Sequence, residues 1–295
     1  MSVISKGALS QGVNLTIGIL TDEQFKAYQS DGYVLVPGLF NGQETDLLRS
    51  AMETDPNIGE RLYARTDNDG GATRMMTWNH PGNSIYGLAA RSIRVVDTME
   101  ALLGGEVYHY HSKLTAKNAR EGGAWEWHQD YGYWYHNGCL EPQMASVMIA
   151  LDHATSENGC LQVLKGSHLL GRIDHDITPG AQVGADLDRL EEIKKRLELV
   201  YCEMEPGDGL FFHCNTLHRS DANESDKRRW TLICCYNAAR NDPVIEHHHP
   251  GYTPLHKVPD SAMLEAGMTF GTGTDEGFFA APANPKSLEE KSNRS

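Results

Sequence analysis

The stretch WEWHQDYGYW, residues 125–134, sets a histidine and an acid two positions apart inside a run of aromatic residues. Aromatic residues favour strands, and alternate side chains of a strand share one face. At a strand end, His128 and Asp130 would therefore reach one ion from the same side. The bland alternative is a polar interruption of an ordinary strand. One such pair does not decide the matter, because a chain with 14 histidines and 40 acidic residues holds some by chance. His175, flanked by Asp174 and Asp176, is another instance and reads as a solvated loop.

A distal segment, PGDGLFFHCNTLHRSDANESDKRRWTL (206–232), shifts the balance. It reads as a tight turn, an apolar strand, and then His218, with Arg229 eleven positions later on the next strand. His213 competes as a ligand, but inside a strand a histidine is more often buried and hydrogen-bonded. Two histidines and one carboxylate on one face leave coordination positions open, which suits ferrous iron binding a cosubstrate and oxygen together. A dicarboxylate chelating such an ion needs its far end held, and guanidinium grips carboxylate bidentately. Strand alternation turns either Arg228 or Arg229 inward and leaves the choice open.

Around these segments the chain reads as helices first and strands later. Thr21 or Asp22 can cap a helix carrying Phe25 and Tyr28, and DGYVLVPGLF (31–40) gives a short strand stopped at Pro37-Gly38. A second helix is expected near 42–54, a third near 88–103 ending at Gly104-Gly105, and a fourth near 185–197. Residues 55–84, rich in Asn, Asp, Gly and Pro, read as a long loop. Strand signals fill EVYHYHSKLTAK (106–117), QMASVMIALDHA (143–154), GCLQVLKGSH (159–168), LELVYCEMEPGDGLFFHCN (197–215) and RWTLICCYNAAR (229–240). The last ~50 residues are turn-rich. This order predicts a mainly β antiparallel sandwich or jelly roll with flanking helices. Residues 1–20 read as a flexible arm and 21–295 as a single domain.

Composition narrows the class of partner. A net charge of −14 argues against nucleic acid and anionic lipid. No apolar run reaches the ~18 residues of a membrane helix, and the N-terminus lacks the pattern of a signal peptide. The six cysteines form no CxxC pair, which predicts reduced, buried thiols in a cytoplasmic protein and no cysteine zinc site.

Taken together, His128-x-Asp130, the NGCLQVLKGSH turn (158–168) and the His218-to-Arg229 spacing resemble the phytanoyl-CoA dioxygenase family. These are iron(II)- and 2-oxoglutarate-dependent oxygenases on a double-stranded β-helix. Residues 107–142 are most similar to the ectoine hydroxylase branch, which shares Trp-His-x-Asp and a tryptophan four residues after the acid. The resemblance spans roughly residues 20 to 240. It implies iron(II), 2-oxoglutarate and dioxygen, with His128, Asp130 and His218 as metal ligands. It makes Arg229 the holder of the far carboxylate, with Ser220 donating a hydrogen bond to the same group. Lys113 stands where the ectoine enzymes carry an arginine that helps hold the cosubstrate, and Thr115 replaces an asparagine. Trp134 matches a tryptophan lining the substrate pocket, and His111 stands where a glutamine contacts substrate. These replacements, and YGYWYHNGCLEP (131–142) in place of an acidic signature, point away from ectoine itself. Related halogenases lack the carboxylate that Asp130 supplies, so hydroxylation is implied.

The implied substrate is small and polar or zwitterionic: an amino acid, a betaine-like solute or an aminophosphonate. Aromatic faces on 125–135 can cage an ammonium group, although half of them are expected simply to pack the sheet. Arg240 and His247-His248-His249 are candidates for an anionic end, with a solvated loop as the commoner outcome for such a run. No basic patch suits an acyl-CoA. Two other classes remain: a metal-binding jelly-roll sensor without turnover, and a zinc-dependent hydrolase or isomerase. The first would not decarboxylate 2-oxoglutarate, and the second would have no use for Arg229.

Overall fold

A computed structural model describes residues 18–269, apart from 68 and 178–181. The arm expected over 1–20 thus lies outside the described residues as far as 17, as does the C-terminal segment from 270. Thr21 closes a capping box with Gln24 at the start of α1 (Asp22–Asp31), and Gly32, at φ 84°, ends it. There follow β1 (Tyr33–Val36), α2 (Gly42–Thr54), α3 (Pro56–Arg61), β2 (Tyr63–Thr66), β3 (Ala72–Trp78), α4 (Ile85–Arg91) and α5 (Ile93–Leu103). Strands then dominate: β4 (Val107–Lys117), β5 (Trp125–His128), β6 (Met144–Ala150), β7 (Leu161–Leu164), β8 (His175–Ile177) and β9 (Val183–Ala185). The series ends with β10 (Leu199–Cys202), β11 (Gly209–His213), β12 (His218–Ser220) and β13 (Arg229–Ala238). Three helices punctuate the later part: α6 (Asp130–Trp134), α7 (Leu187–Lys194) and α8 (Ala262–Ala266).

Seven strands form one sheet in the order β1-β11-β6-β13-β4-β3-β2, and four form a second in the order β10-β7-β12-β5. Neighbours are antiparallel and mostly distant in sequence, as in the expected jelly roll. Alternation sorts the long strands between two cores. Leu114, Val147, Leu232, Cys234 and Tyr236 join the layer packed with Val95, Val96 and Met99 of α5. Met148, Phe212, Ile233 and Cys235 face the other way, toward Leu161 and Val163 of the smaller sheet. Both faces of the large sheet are covered, which explains why VMIALDHA shows no clean polar alternation. One irregularity interrupts the β4–β13 ladder: Cys235 pairs with His111 and Tyr236 with His109, so Tyr110 bulges out of register.

Two expectations change. Residues 55–84 are not one long loop, because α3 and the β2–β3 hairpin occupy much of them. Asp67, Asp69 and the glycines 70 and 71 carry part of the Asp/Gly density, and Asp67 Oδ1 accepts the backbone N–H groups of Asp69 and Gly71. The helix expected over 88–103 is two helices, broken at Ser92, whose ψ of 141° leaves the helical region. Among the described residues no helix is long and apolar enough to cross a membrane.

Leu232 is fully buried between the sheet and the helical layer. Leu232→Ala is expected to lower unfolding free energy by about 2–5 kcal/mol, read by urea titration. A loss under about 1 kcal/mol would mean that this layer does not hold the sheet.

Candidate metal centre and its cleft

His128 ends β5, and Asp130 opens α6. The two therefore do not share a strand face as the alternation argument assumed; the chain turns between them. Gln129 holds that turn, and it is fully buried. Its side-chain amide donates to the carbonyls of Gly171 and Asn215, both at 2.8 Å, and its Oε1 accepts the Ile173 N–H. Its backbone N–H donates to His175 Nε2 at 2.8 Å. His175 is thus a half-buried prop behind the turn, and the solvated-loop reading of it is corrected.

β12 brings His218 directly opposite His128, with ring centroids 4.0 Å apart. One ligand atom from each of His128, Asp130 and His218 lies within 4.8 Å of the others, and all three residues are buried. No other His/Cys/Asp/Glu triplet among the described residues meets this spacing. The imidazoles are held in one tautomer. His128 Nδ1 lies 2.8 Å from the Glu126 carbonyl and His218 Nδ1 lies 2.9 Å from the Thr216 carbonyl. A carbonyl only accepts, so each Nδ1 carries the proton and each Nε2 keeps a bare lone pair. Burial pushes the His128 pKa well below its ordinary value, and neighbouring His218 adds to the shift. Burial also lowers that of His218, against the pull of Asp130. Neutral imidazole is the ligating form.

His128 Nε2 and Asp130 Oδ1 stand 3.8 Å apart. With the imidazole neutral, two electron-rich atoms face each other in a buried pocket, an arrangement that a shared cation relieves. Ser146 on β6 donates to Asp130 Oδ2 at 3.2 Å, a support that no motif announced. His213 stays outside the group: its Nδ1 accepts the Asn215 N–H at 3.0 Å, and its ring lies beside His168.

The same cleft runs between the sheets and encloses about 540 Å³, part of it open to solvent. His128 and His218 line it together with Trp125 and with Lys113, Thr115 and Lys117 of β4. Arg219, Ser220, Arg229 and an apolar wall that includes Met148, Leu161, Phe212 and Ile233 also line it. Arg229, 3% exposed, is the inward arginine, and its Nε has no hydrogen-bond partner. Burial lowers its pKa to about 10. Arg228 points away, pairs with Glu53 and Asp152, and covers the Trp230 ring. Thr115 shares a 2.7 Å hydrogen bond with Thr231. Burial, the largest influence, opposes charge on Lys113, but Asp130, Cys235 and Tyr63 together more than offset it and the pKa is raised. Among the cleft residues missed in the sequence is Lys117, although it continues the 113, 115 alternation by one step.

His111 and Trp134 meet edge to face at 5.7 Å. Both are buried, and neither is among the side chains lining the cleft. His111 Nδ1 has no hydrogen-bond partner. Its ring stacks on His249 at 4.9 Å, and Tyr110 lies 4.4 Å from His249 on its other contact. His247 and His249 are half-buried and His248 is exposed, so the histidine run is a loop that is only partly solvated. Arg240 donates to the Leu103 carbonyl and to Gln143 Oε1, which ties down the end of β13.

Calorimetry with Mn(II) or anaerobic Fe(II) checks the centre. Ser146→Ala should weaken binding by about 10- to 100-fold, His128→Ala by more, and His213→Ala hardly at all. Equal affinity in all four proteins would overturn the assignment.

The sequence profile of the phytanoyl-CoA dioxygenase family matches residues 28–231. L-proline trans-4-hydroxylase of Streptomyces griseoviridis is 30% identical over 252 residues, covering 80% of this chain and 92% of that protein. Ectoine dioxygenase of Stutzerimonas stutzeri (strain A1501) is 27% identical over 233 residues, covering 74% and 77%. The crystal structure of EctD from S. alaskensis in its apoform superposes with a TM-score of 0.68 at 24% identity. That match covers 81% of this chain and 88% of the other, and it shows the shared fold. With the family profile spanning both halves of the buried triplet and a relative at 30% identity over most of its length, this chain belongs to the phytanoyl-CoA dioxygenase family.

Proposed function

We propose that this iron(II)- and 2-oxoglutarate-dependent dioxygenase hydroxylates an unactivated C–H bond of a compact zwitterion, an amino acid, betaine-like solute or aminophosphonate. His128, Asp130 and His218 hold the iron. Arg229 and Ser220 hold the far carboxylate of 2-oxoglutarate, with Lys113 and Thr115 along the same wall. His111 and Trp134 shape the substrate end. The carrying observation is the pairing, in one cleft, of a cation-seeking donor triplet with a buried arginine whose Nε has no partner. A buried guanidinium that lacks a carboxylate is costly unless an anion completes it.

With dioxygen, iron(II) and 2-oxoglutarate supply the oxidising chemistry, in which decarboxylation to succinate and carbon dioxide accompanies insertion of an oxygen atom into the C–H bond. The chain's own contribution is position and dryness. His128 and His218 present Nε2 because backbone carbonyls occupy Nδ1. Ser146 orients Asp130. Met148, Leu161, Phe212 and Ile233 exclude water from the space between metal and arginine. Relatives named for ectoine and L-proline support a small zwitterionic substrate. The described residues from 21 onward act as a single oxygenase domain, a reading supported by strands from β3 to β13 contributing to one cleft. The free cysteines, all buried, fit a cytoplasmic setting, and the acidic net charge fits a small-molecule partner in place of nucleic acid.

The test is succinate formed from 2-oxoglutarate with iron(II) and ascorbate, across L-proline, other amino acids, ectoine, betaines and aminophosphonates. One class should stimulate succinate at least about 10-fold over the uncoupled rate, and His128→Ala should lose at least about 100-fold. If no member of the panel stimulates turnover while larger non-zwitterionic alcohols or acids do, the substrate class is wrong.

A further inference from the structure

Cys235 on β13 is the direct ladder partner of Ser146 on β6. Both are fully buried, beside an Asp130 that is itself 1% exposed. Ser146 Oγ stands 3.2 Å from Asp130 Oδ2 and 3.2 Å from Cys235 Sγ. A serine hydroxyl has one hydrogen and two acceptor lone pairs. A ligating carboxylate is ionised and only accepts, so that hydrogen belongs to Asp130. The contact with sulfur is then made by the one other proton at hand, the S–H of Cys235, which donates to Ser146 Oγ. Burial pushes the Cys235 thiol up to about 12, so it keeps this proton.

The hydrogen bonds thus run in one direction, from Cys235 to Ser146 to Asp130. A hydroxyl hydrogen rotates to suit its surroundings, and a donor seated on the oxygen narrows that rotation to the carboxylate. The two oxygens of Asp130 consequently differ. Oδ2 accepts from Ser146, while Oδ1 faces His128 Nε2 at 3.8 Å. A carboxylate that closes on a metal through both oxygens takes two coordination positions, and through one oxygen it takes one. With two histidines also bound, each position saved is one left for cosubstrate or oxygen.

We propose that Cys235 is a positioning residue: through Ser146 it holds Oδ2 back, so that Asp130 offers the metal Oδ1 alone. The inference rests on the iron reading above and assigns a task to a buried thiol that the mechanism otherwise leaves unused. The thiol touches neither metal nor substrate. It acts by fixing the rotor that fixes the ligand.

Mn(II) calorimetry on Cys235→Ala, Cys235→Ser, Ser146→Ala and the Ser146→Ala/Cys235→Ala double variant tests it, with folding checked by thermal melts. Cys235→Ala should weaken Mn(II) by about 2- to 10-fold, the size of one modest hydrogen bond. Cys235→Ser keeps a donor and should stay within about 2-fold of wild type. In the Ser146→Ala background, Cys235→Ala should cost nothing further, because its route to Asp130 is gone. The Mn(II) electron paramagnetic resonance spectrum should change alike in Cys235→Ala and Ser146→Ala, and remain that of wild type in Cys235→Ser. Unchanged affinity in Cys235→Ala, losses that add in the double variant, or equal losses in the Ala and Ser variants overturn the proposal, the last two by reducing Cys235 to packing. Wild-type Mn(II) affinity that survives His128→Ala overturns instead the metal centre beneath it. If Cys235→Ala does not fold, the Raman difference between wild type and Cys235→Ser reads the thiol directly. An S–H band below the free-thiol frequency that moves back up in Ser146→Ala supports donation, and a free-thiol band in wild type overturns it.

Discussion

The ladder between β4 and β13 is the constraint on which the rest of the molecule depends. Its register sends Leu114, Leu232 and Cys234 toward the helices while Lys113, Thr115, Arg229 and Ile233 face the cleft. Because side chains alternate with period two, a slip of one residue would exchange these sets. The apolar layer would then face the site, and two cations and a hydroxyl would be driven into the helical core. Burial of both faces thus enforces the same register twice, once through packing and once through charge.

Charge is distributed against the protein's own average. The chain carries −14 overall, yet the cleft collects Lys113, Lys117 and Arg229 in a small volume. An anion approaching from solvent meets a repulsive exterior and an attractive interior. Apolar walls such as Met148, Leu161 and Phe212 strengthen the inner field, since screening by water is lost there. At the other end of the cleft the histidines are kept neutral by burial, so cation and anion sites stay distinct.

Much of this was legible in the sequence, for reasons that differ from residue to residue. His128, Asp130 and His218 stood out by type and spacing, but the strand argument for the first two was wrong: the turn at Gln129 is held by partners from 171, 173, 175 and 215 that no local pattern encodes. The choice between Arg228 and Arg229 could not be made from alternation without knowing the face, and burial makes it. Lys117 was overlooked because a lysine at a strand end is ordinarily a solvated terminus. The β2–β3 hairpin was hidden by its turn, whose Asp67 and glycines dominate a short window. Ser146 gave no signal, and the acids flanking His175 pointed to solvent instead of to Gln129, since a hydrogen bond between distant elements leaves no trace in one sequence.

The bulge at Tyr110 has a consequence for how such a cleft tolerates change. Below it, from His111 to Lys117, pairing is strict and the parity of every inward residue is fixed by β13. Beyond it the parity resets, which lets adjacent residues Tyr110 and His111 both touch His249. The irregularity works as a mechanical clutch: a length change or altered side chain on the far side shifts the histidine wall without being transmitted down the ladder. Variation around Tyr110 and His249 is thereby uncoupled from the geometry of the cationic end.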